Sequence, residues 1–309
     1  MTEPRGELAF IHWIRSQLPS ADPRVTIGPG DDMAELRLPD GGRVLVATDT
    51  ILDGTHFDAR RDPLPDIGWK ALAENLSDIA AMAAVPVGAV GTLALPRDFT
   101  MAQGQDLFTG LKRCADEFDC PWVGGDITSW DQRLAITVTV LAHAERPVRR
   151  SGARAGHCVC VTGRLGGSLL GRHLTFRPRL AEARRLAEAA TLTAMIDLSD
   201  GLSTDIGHLC RESGVGVCLE AARVPVSDDA VQLAARDGRT PLDHALNDGE
   251  DFELLFAVAE SDVARVLVLD LGVEVTVIGR FVPAAEGCTL VDSQGHALDL
   301  KPGGYEHWR

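Results

Sequence analysis

The chain has 309 residues, 45% hydrophobic and 24% charged, with 45 acidic against 30 basic residues and a formal net charge of −15. That length suits about two domains, and the composition is that of an ordinary globular protein. The acidity excludes a broad nucleic-acid footprint, which needs basic patches, and no run of about 18 apolar residues exists to span a membrane.

Residues 7–18 predict a short amphipathic helix ended by Pro19, and the stretch from Met1 to Leu18 carries Glu3, Arg5, Glu7 and Arg15 without the apolar core of a signal peptide. Gly28-Pro29-Gly30 predicts a tight turn before Asp31 and Asp32, of which one is expected to face a site. Residues 43–48 read as a strand leading into Asp49. Residues 66–84 are the strongest helix, with Trp69, Leu72, Ala73, Leu76, Ile79, Ala80 and Ala83 at spacings of three and four. Strands follow at 87–95 and 121–123, the second ending in a Gly124-Gly125-Asp126 turn, with a helix at 100–118 between them and a β-branched strand at 134–142. The stretch from Arg146 to Gly152 marks a domain boundary, giving domains 1–146 and 147–309. Beyond it, strands are expected at 157–162, 215–219, 252–258 and 273–279, and helices at 179–190, 204–213 and 261–269. A short apolar segment ends at Met195-Ile196, before Asp197. The alternation of helix and strand indicates an α/β or α+β class.

Seven cysteines, an odd number with no C-x-x-C pair, fit buried, reduced thiols in a cytoplasmic protein. Cys158 and Cys160 stand two apart on a strand and are expected to face the same side.

The acidic residues carry the chemistry. They recur in Gly- or Thr-flanked clusters: Gly30-Asp31-Asp32, Thr48-Asp49-Thr50, Ser77-Asp78, Gly124-Gly125-Asp126, Asp197-Leu198-Ser199-Asp200-Gly201 and Asp248-Gly249-Glu250-Asp251. Glycine lets backbone approach a ligand, and separated single carboxylates suit Mg²⁺, which keeps waters and shares substrate phosphates. Asp49 at a strand end and Asp78 at the border of a helix's apolar face are placed to reach a cleft. His56 is a candidate contact to a phosphate or a ring. Asp200 or Ser203 could instead cap the helix there. Zinc is disfavoured by the lack of His/Cys spacing. No Walker A or kinase Gly-rich loop is present, so divalent metal would supply most charge neutralisation in phosphoryl transfer.

Taken in order, these clusters resemble the thiamine-monophosphate kinase family. The resemblance rests on Gly30-Asp31-Asp32, Ala47-Thr48-Asp49-Thr50, Asp53-Gly54-Thr55-His56-Phe57, Lys70-Ala71-Leu72-Ala73-Glu74-Asn75-Leu76-Ser77-Asp78-Ile79, Gly124-Gly125-Asp126, Arg150-Ser151-Gly152-Ala153, Ile196-Asp197-Leu198-Ser199-Asp200-Gly201, Gly249-Glu250-Asp251-Phe252 and Gly304-Tyr305-Glu306-His307. It implies ATP-dependent phosphorylation of thiamine monophosphate to thiamine diphosphate. It also implies the two-domain fold shared with aminoimidazole ribonucleotide synthetase, whose N-terminal sheet completes a barrel across a homodimer. By motif position, Asp32, Thr48, Asp49, Asp78, Asp126, Asp197 and Asp200 would hold several Mg²⁺ ions. Gly125, Asp126, Arg150 and Ser199 would touch ATP, while His56, Glu250 and Tyr305 would touch thiamine monophosphate. No catalytic base is assigned. The chain departs from the family pattern at Ala47, where Ser is frequent, at Pro29, and at Asn247-Asp248, where Ser-Gly is usual. The related selenophosphate synthetases would need a reactive cysteine near the N-terminus, and the first cysteine here is Cys114.

Overall fold

The structure is a computed structural model in which residues 6–18 and 22–307 are described. Pro19, Glu3 and Arg5 lie outside the described residues. The first half runs α1 (Glu7–Gln17), β1 (Val25–Ile27), β2 (Ala34–Arg37), β3 (Arg43–Leu52), α2 (Leu64–Ala81), β4 (Val85–Pro96), α3 (Met101–Glu117), β5 (Trp122–Trp130) and β6 (Ala135–His143). The second half begins with β7 (Cys158–Thr162), α4 (Arg172–Thr175), α5 (Leu180–Ala189), β8 (Leu192–Asp197), α6 (Leu202–Ser213) and β9 (Val215–Glu220). It continues with α7 (Asp228–Asp237), α8 (Pro241–Asn247), β10 (Leu254–Val258), α9 (Glu260–Leu267), β11 (Val275–Pro283), β12 (Cys288–Val291) and β13 (Ala297–Asp299).

Two sheets result, in the orders β1-β2-β3-β6-β4-β5 and β13-β12-β9-β11-β7-β10-β8. Most neighbours are antiparallel, with β4–β5 and β12–β9 the parallel pairs. The α+β side of the expected class therefore holds. Neither sheet closes on itself within one chain, since β1 and β5 are left as edges of the first and β13 and β8 as edges of the second.

Helix α2 begins at a Pro63-Leu64-Pro65 signal, where proline's fixed φ suits the first turn. It ends where the Met82 N–H returns to the Asp78 carbonyl and Ala83 enters φ +50°. One side packs on β3, β4, β6 and α3, and another on α4, α5 and β8 of the second half. A helix buried on several sides must be apolar around most of its circumference. Ile67, Leu72, Leu76 and Ile79 are fully buried, each contributing about 1.5–3 kcal/mol of apolar burial. Strand β7 is buried along its length, with Cys158 and Cys160 on one side and Val159 and Val161 in a separate core. That bears out the shared face of the two cysteines. All seven cysteines are free. Among the described residues, no helix is long and apolar enough to cross a membrane.

One sequence expectation fails in the first sheet. Gly124-Gly125-Asp126 is not a turn after a short strand but lies within β5, which pairs with β4 from Trp122 to Trp130. The reason is close backbone approach. A Cβ on Gly125 would sit 1.9 Å from the Gly91 carbonyl oxygen, so glycine allows the two strands to pair there. Gly125→Ala is therefore expected to destabilise the fold by about 1–3 kcal/mol. Denaturant midpoints check this, and a change within about 0.5 kcal/mol would refute the packing account.

Candidate functional site

A cleft of about 290 Å³ is lined from both halves, including Asp49, Glu74, Asp78, Asp197, Asp200 and Glu250. Ser199, His56 and Tyr305 line it too. The sequence-predicted residues thus converge from β3, α2, the β8–α6 turn, the α8–β10 loop and the C-terminal segment.

At one end the acids crowd. Carboxylate oxygens of Asp32, Asp78 and Asp197 all lie within 4.8 Å of one another. Asp78 leaves α2 between core residues Leu76 and Ile79, as its border position requires. Ser77, one residue before it, hydrogen-bonds Asp197. Of the Asp31-Asp32 pair, Asp32 joins the cluster while Asp31 accepts the Arg150 backbone N–H at 2.6 Å. The Arg150 guanidinium turns into the cluster and donates to Asp32 Oδ1 at 2.7 Å. Asp32 Oδ2 remains buried without a hydrogen-bond partner.

Electrostatics follow from that crowding. Burial, then the Asp49, Asp197 and Asp32 charges, push Asp78 well above the usual carboxylate range. Burial and Asp32 push Asp197 up to about 7, against the Ser77 hydrogen bond and Arg150. Burial raises Asp49 despite a hydrogen bond with Asp78. Asp200 is pushed up to about 6 by burial and Glu7. A set of hard oxygen ligands, one of them orphaned, that repel one another without a cation is what a divalent metal would relieve. The residues therefore fit Mg²⁺.

The cleft also carries a cluster of aromatic rings. Burial pushes His56 down to about 4, so its ring is neutral near pH 7. Its Nδ1 accepts the Leu52 N–H at 3.0 Å, which leaves the proton on Nε2. His56 and His307 lie 5.1 Å apart between ring centroids, and Tyr305 meets His307 edge-on at 4.8 Å. The Tyr305 N–H donates to the Asp200 carbonyl at 3.0 Å, tying the C-terminal segment to the acidic end. Asp205 accepts the Asp200 and Gly201 N–H groups at 3.1 and 3.0 Å and so shapes that turn. Asp200 does not cap α6; Gly201 stands at that position.

Three predicted residues, Thr48, Gly125 and Asp126, are placed apart. Side chains alternate along a strand, so Thr48 and Asp49 project from opposite faces of β3. Thr48 Oγ1 donates to the Val138 carbonyl and accepts from Thr139 Oγ1, both at 3.0 Å. Asp126 shares its cross-strand row with Thr92, Thr137 and Thr50, on the same open face as Thr48. Neither Thr48 nor Asp126 lines the cleft in a single chain. Gly125 neighbours Asp126 on edge strand β5.

Other residues were not legible as site residues. Lys70, Glu74 and Asp78 form an i, i+4, i+8 row along α2, a spacing that the sequence does contain. His173 and Asp205 carry no motif. The Asn247-Asp248 departure is accommodated: Asn247 Oδ1 accepts from Ser203 at 2.6 Å, and Asp248 accepts the Gly167 N–H at 3.0 Å. Ala47 packs against the core.

The chain matches the AIR synthase related protein N-terminal domain over residues 30–144 and the corresponding C-terminal domain over residues 143–290. It is 41% identical to the thiamine-monophosphate kinase of Rhodopirellula baltica, over 89% of this chain and 89% of that protein. It is 37% identical to that of Synechococcus elongatus, over 90% and 91%. The solved structure of AaThiL complexed with AMPPCP and TMP superposes with a TM-score of 0.84 at 29% identity, covering 98% of this chain and 97% of that one. With every ordered acidic cluster but Gly124-Gly125-Asp126 brought to one cleft, these likenesses establish that the chain belongs to the thiamine-monophosphate kinase family.

Proposed function

We propose that this chain transfers the γ-phosphoryl group of ATP directly, in line, to the phosphate of thiamine monophosphate, giving thiamine diphosphate. The observation that carries the reading is the convergence on one cleft: Asp32, Asp78 and Asp197 gather within 4.8 Å of one another, and His56, Glu250 and Tyr305 line the same cleft as Asp78 and Asp197. Asp32, Asp49, Asp78, Asp197 and Asp200 would hold Mg²⁺. Bound Mg²⁺ neutralises charge on two anionic substrates that would otherwise repel each other. Arg150, Ser199, Gly125 and Asp126 are assigned to ATP. His56, neutral with its proton on Nε2, can donate to the acceptor, and Glu250 and Tyr305 orient it. The attacking oxygen belongs to a phosphate already ionised near neutral pH, so no side chain need act as a base.

A homodimer is part of the same proposal. The open face of the first sheet exposes Leu52, Val85, Val90 and Leu141, and edge strand β5 exposes Val123 and Ile127. A sheet face that exposes apolar side chains among its threonines, with open edges, calls for a partner. A second copy closing a barrel over it would cover this surface and enclose Thr48 and Asp126, which await metal and nucleotide there. We place the domain boundary at residues 146–147 and the reaction in the cytoplasm, where reduced thiols persist.

An ADP-release assay across candidate phosphate acceptors, with and without Mg²⁺, tests the function. Release is expected only with thiamine monophosphate and Mg²⁺ together. ADP release of equal rate without that acceptor would sink the reading.

A further inference from the structure

Lys70 on α2 is fully buried. A buried ammonium is costly unless its donors are met. It offers three N–H groups, and these are met by the His56 carbonyl at 3.0 Å and by both Glu250 carboxylate oxygens at 2.8 Å. Glu74 Oε1 stands 3.3 Å away as an ion pair without hydrogen-bond geometry. Lys70 thus joins α2 to the α8–β10 loop, from one half of the chain to the other.

The backbone at its far end is strained. Glu250 has φ +52° and Phe252 φ +51°, a region that side-chain-bearing residues enter at a cost and that gathers at functional sites. Two backbone bonds hold the path: the Glu250 N–H to the Ser199 carbonyl at 2.7 Å, and the Phe252 N–H to the Leu198 carbonyl at 2.8 Å. They leave the Glu250 carboxylate free to rotate. Lys70 fixes it, together with His173 Nδ1 at 3.0 Å from Oε2. Burial works against the ionised carboxylate, yet His173 and Lys70 hold its pKa below the ordinary value.

We infer that Lys70 is a positioning residue for the phosphoryl acceptor: it acts through Glu250, locking that carboxylate in the orientation that meets thiamine monophosphate. The inference rests on the proposed assignment of Glu250 to the acceptor. Lys70 does not line the cleft, so it does not itself touch substrate. A carboxylate prelocked in this way spares the substrate the cost of ordering it. Its loss should weaken the acceptor and spare the nucleotide.

The test compares wild type, Lys70→Met, Glu250→Gln and the double variant by ADP release, titrating thiamine monophosphate and ATP separately. Lys70→Met is expected to raise KM for thiamine monophosphate about tenfold or more, with KM for ATP within about twofold. The double variant is expected to match Glu250→Gln within about twofold in the acceptor KM, because Lys70 acts through that residue. It removes both buried charges together, so it keeps the test open if Lys70→Met alone is too unstable to purify. Equal rises in both KM values, an unchanged acceptor KM in folded Lys70→Met, or a double variant much weaker than Glu250→Gln would each overturn the inference. So would an unchanged acceptor KM in Glu250→Gln. Wild type inactive on thiamine monophosphate would instead overturn the proposed function.

Discussion

Asp78→Asn is expected to abolish turnover, by on the order of 10²–10³-fold or more in kcat, while leaving the fold intact. Asp78 sits within the 4.8 Å cluster with Asp32 and Asp197, and Asp49 also presses on it. Asparagine keeps the shape but removes the charge that a divalent cation needs. Without metal, burial and three neighbouring carboxylates hold Asp78 well above the usual carboxylate range. Asn therefore resembles the neutral form that these surroundings favour, and the metal-free melting temperature should stay level or rise. Paired readings decide the matter: ADP release with thiamine monophosphate, and thermal unfolding in chelator against Mg²⁺. Near-normal turnover at saturating Mg²⁺ would remove Asp78 from the metal set.

Stability of the metal-free protein is expected to fall as pH rises from about 4 to 7, and Mg²⁺ should restore more of it at high pH than at low. Asp197 carries the clearest window. Its pKa rises from 3.8 to about 7 in the fold. Between those values the folded chain keeps a proton that the unfolded chain has released, so stability drains as pH climbs. Each pH unit in the window costs about 1.4 kcal/mol. Asp200, raised from 3.8 to about 6, adds to the same slope. Glu74, raised from 4.5 to about 8 by burial, against Lys70 but with Glu250 and Asp49, extends it upward. A cation at 100 times its dissociation constant adds about 2.7 kcal/mol, and it meets ionised ligands only at the upper end. Melting curves at pH 5 and pH 8, with chelator and with Mg²⁺, read this directly. A larger Mg²⁺ effect at pH 5 would contradict the reading of the acid cluster.

Local rules read much of the chain well. The periodicity of residues 66–84 specified α2 and its buried face, and its fully buried Leu72, Leu76 and Ile79 are those the spacing marks. Strand-end Asp49 and helix-border Asp78 reach the cleft because period and burial fix where a side chain points. The reading failed at Gly124-Gly125-Asp126, where two glycines suggested a turn. Their context is a neighbouring strand whose carbonyl leaves no room for a Cβ, and no local rule reports a neighbour 34 residues earlier. Strands β1, β2, β12 and β13 and helices α4, α7 and α8 were also missed. The strands are three or four residues long, too short to show a period.

The sequence by itself determined the acidic clusters and their order and pointed to two domains and to metal-phosphate chemistry, because those depend on residue type and spacing. Tertiary structure decided which residues meet. It gathered Asp32, Asp78 and Asp197 from positions up to 165 residues apart, and set Thr48 and Asp126 on the open face away from the cleft. It also buried Lys70 against Glu250, 180 residues on. Pairings over such separations come from how α2 wedges between the two halves, and the burial that makes a charge matter exists only once that packing is complete.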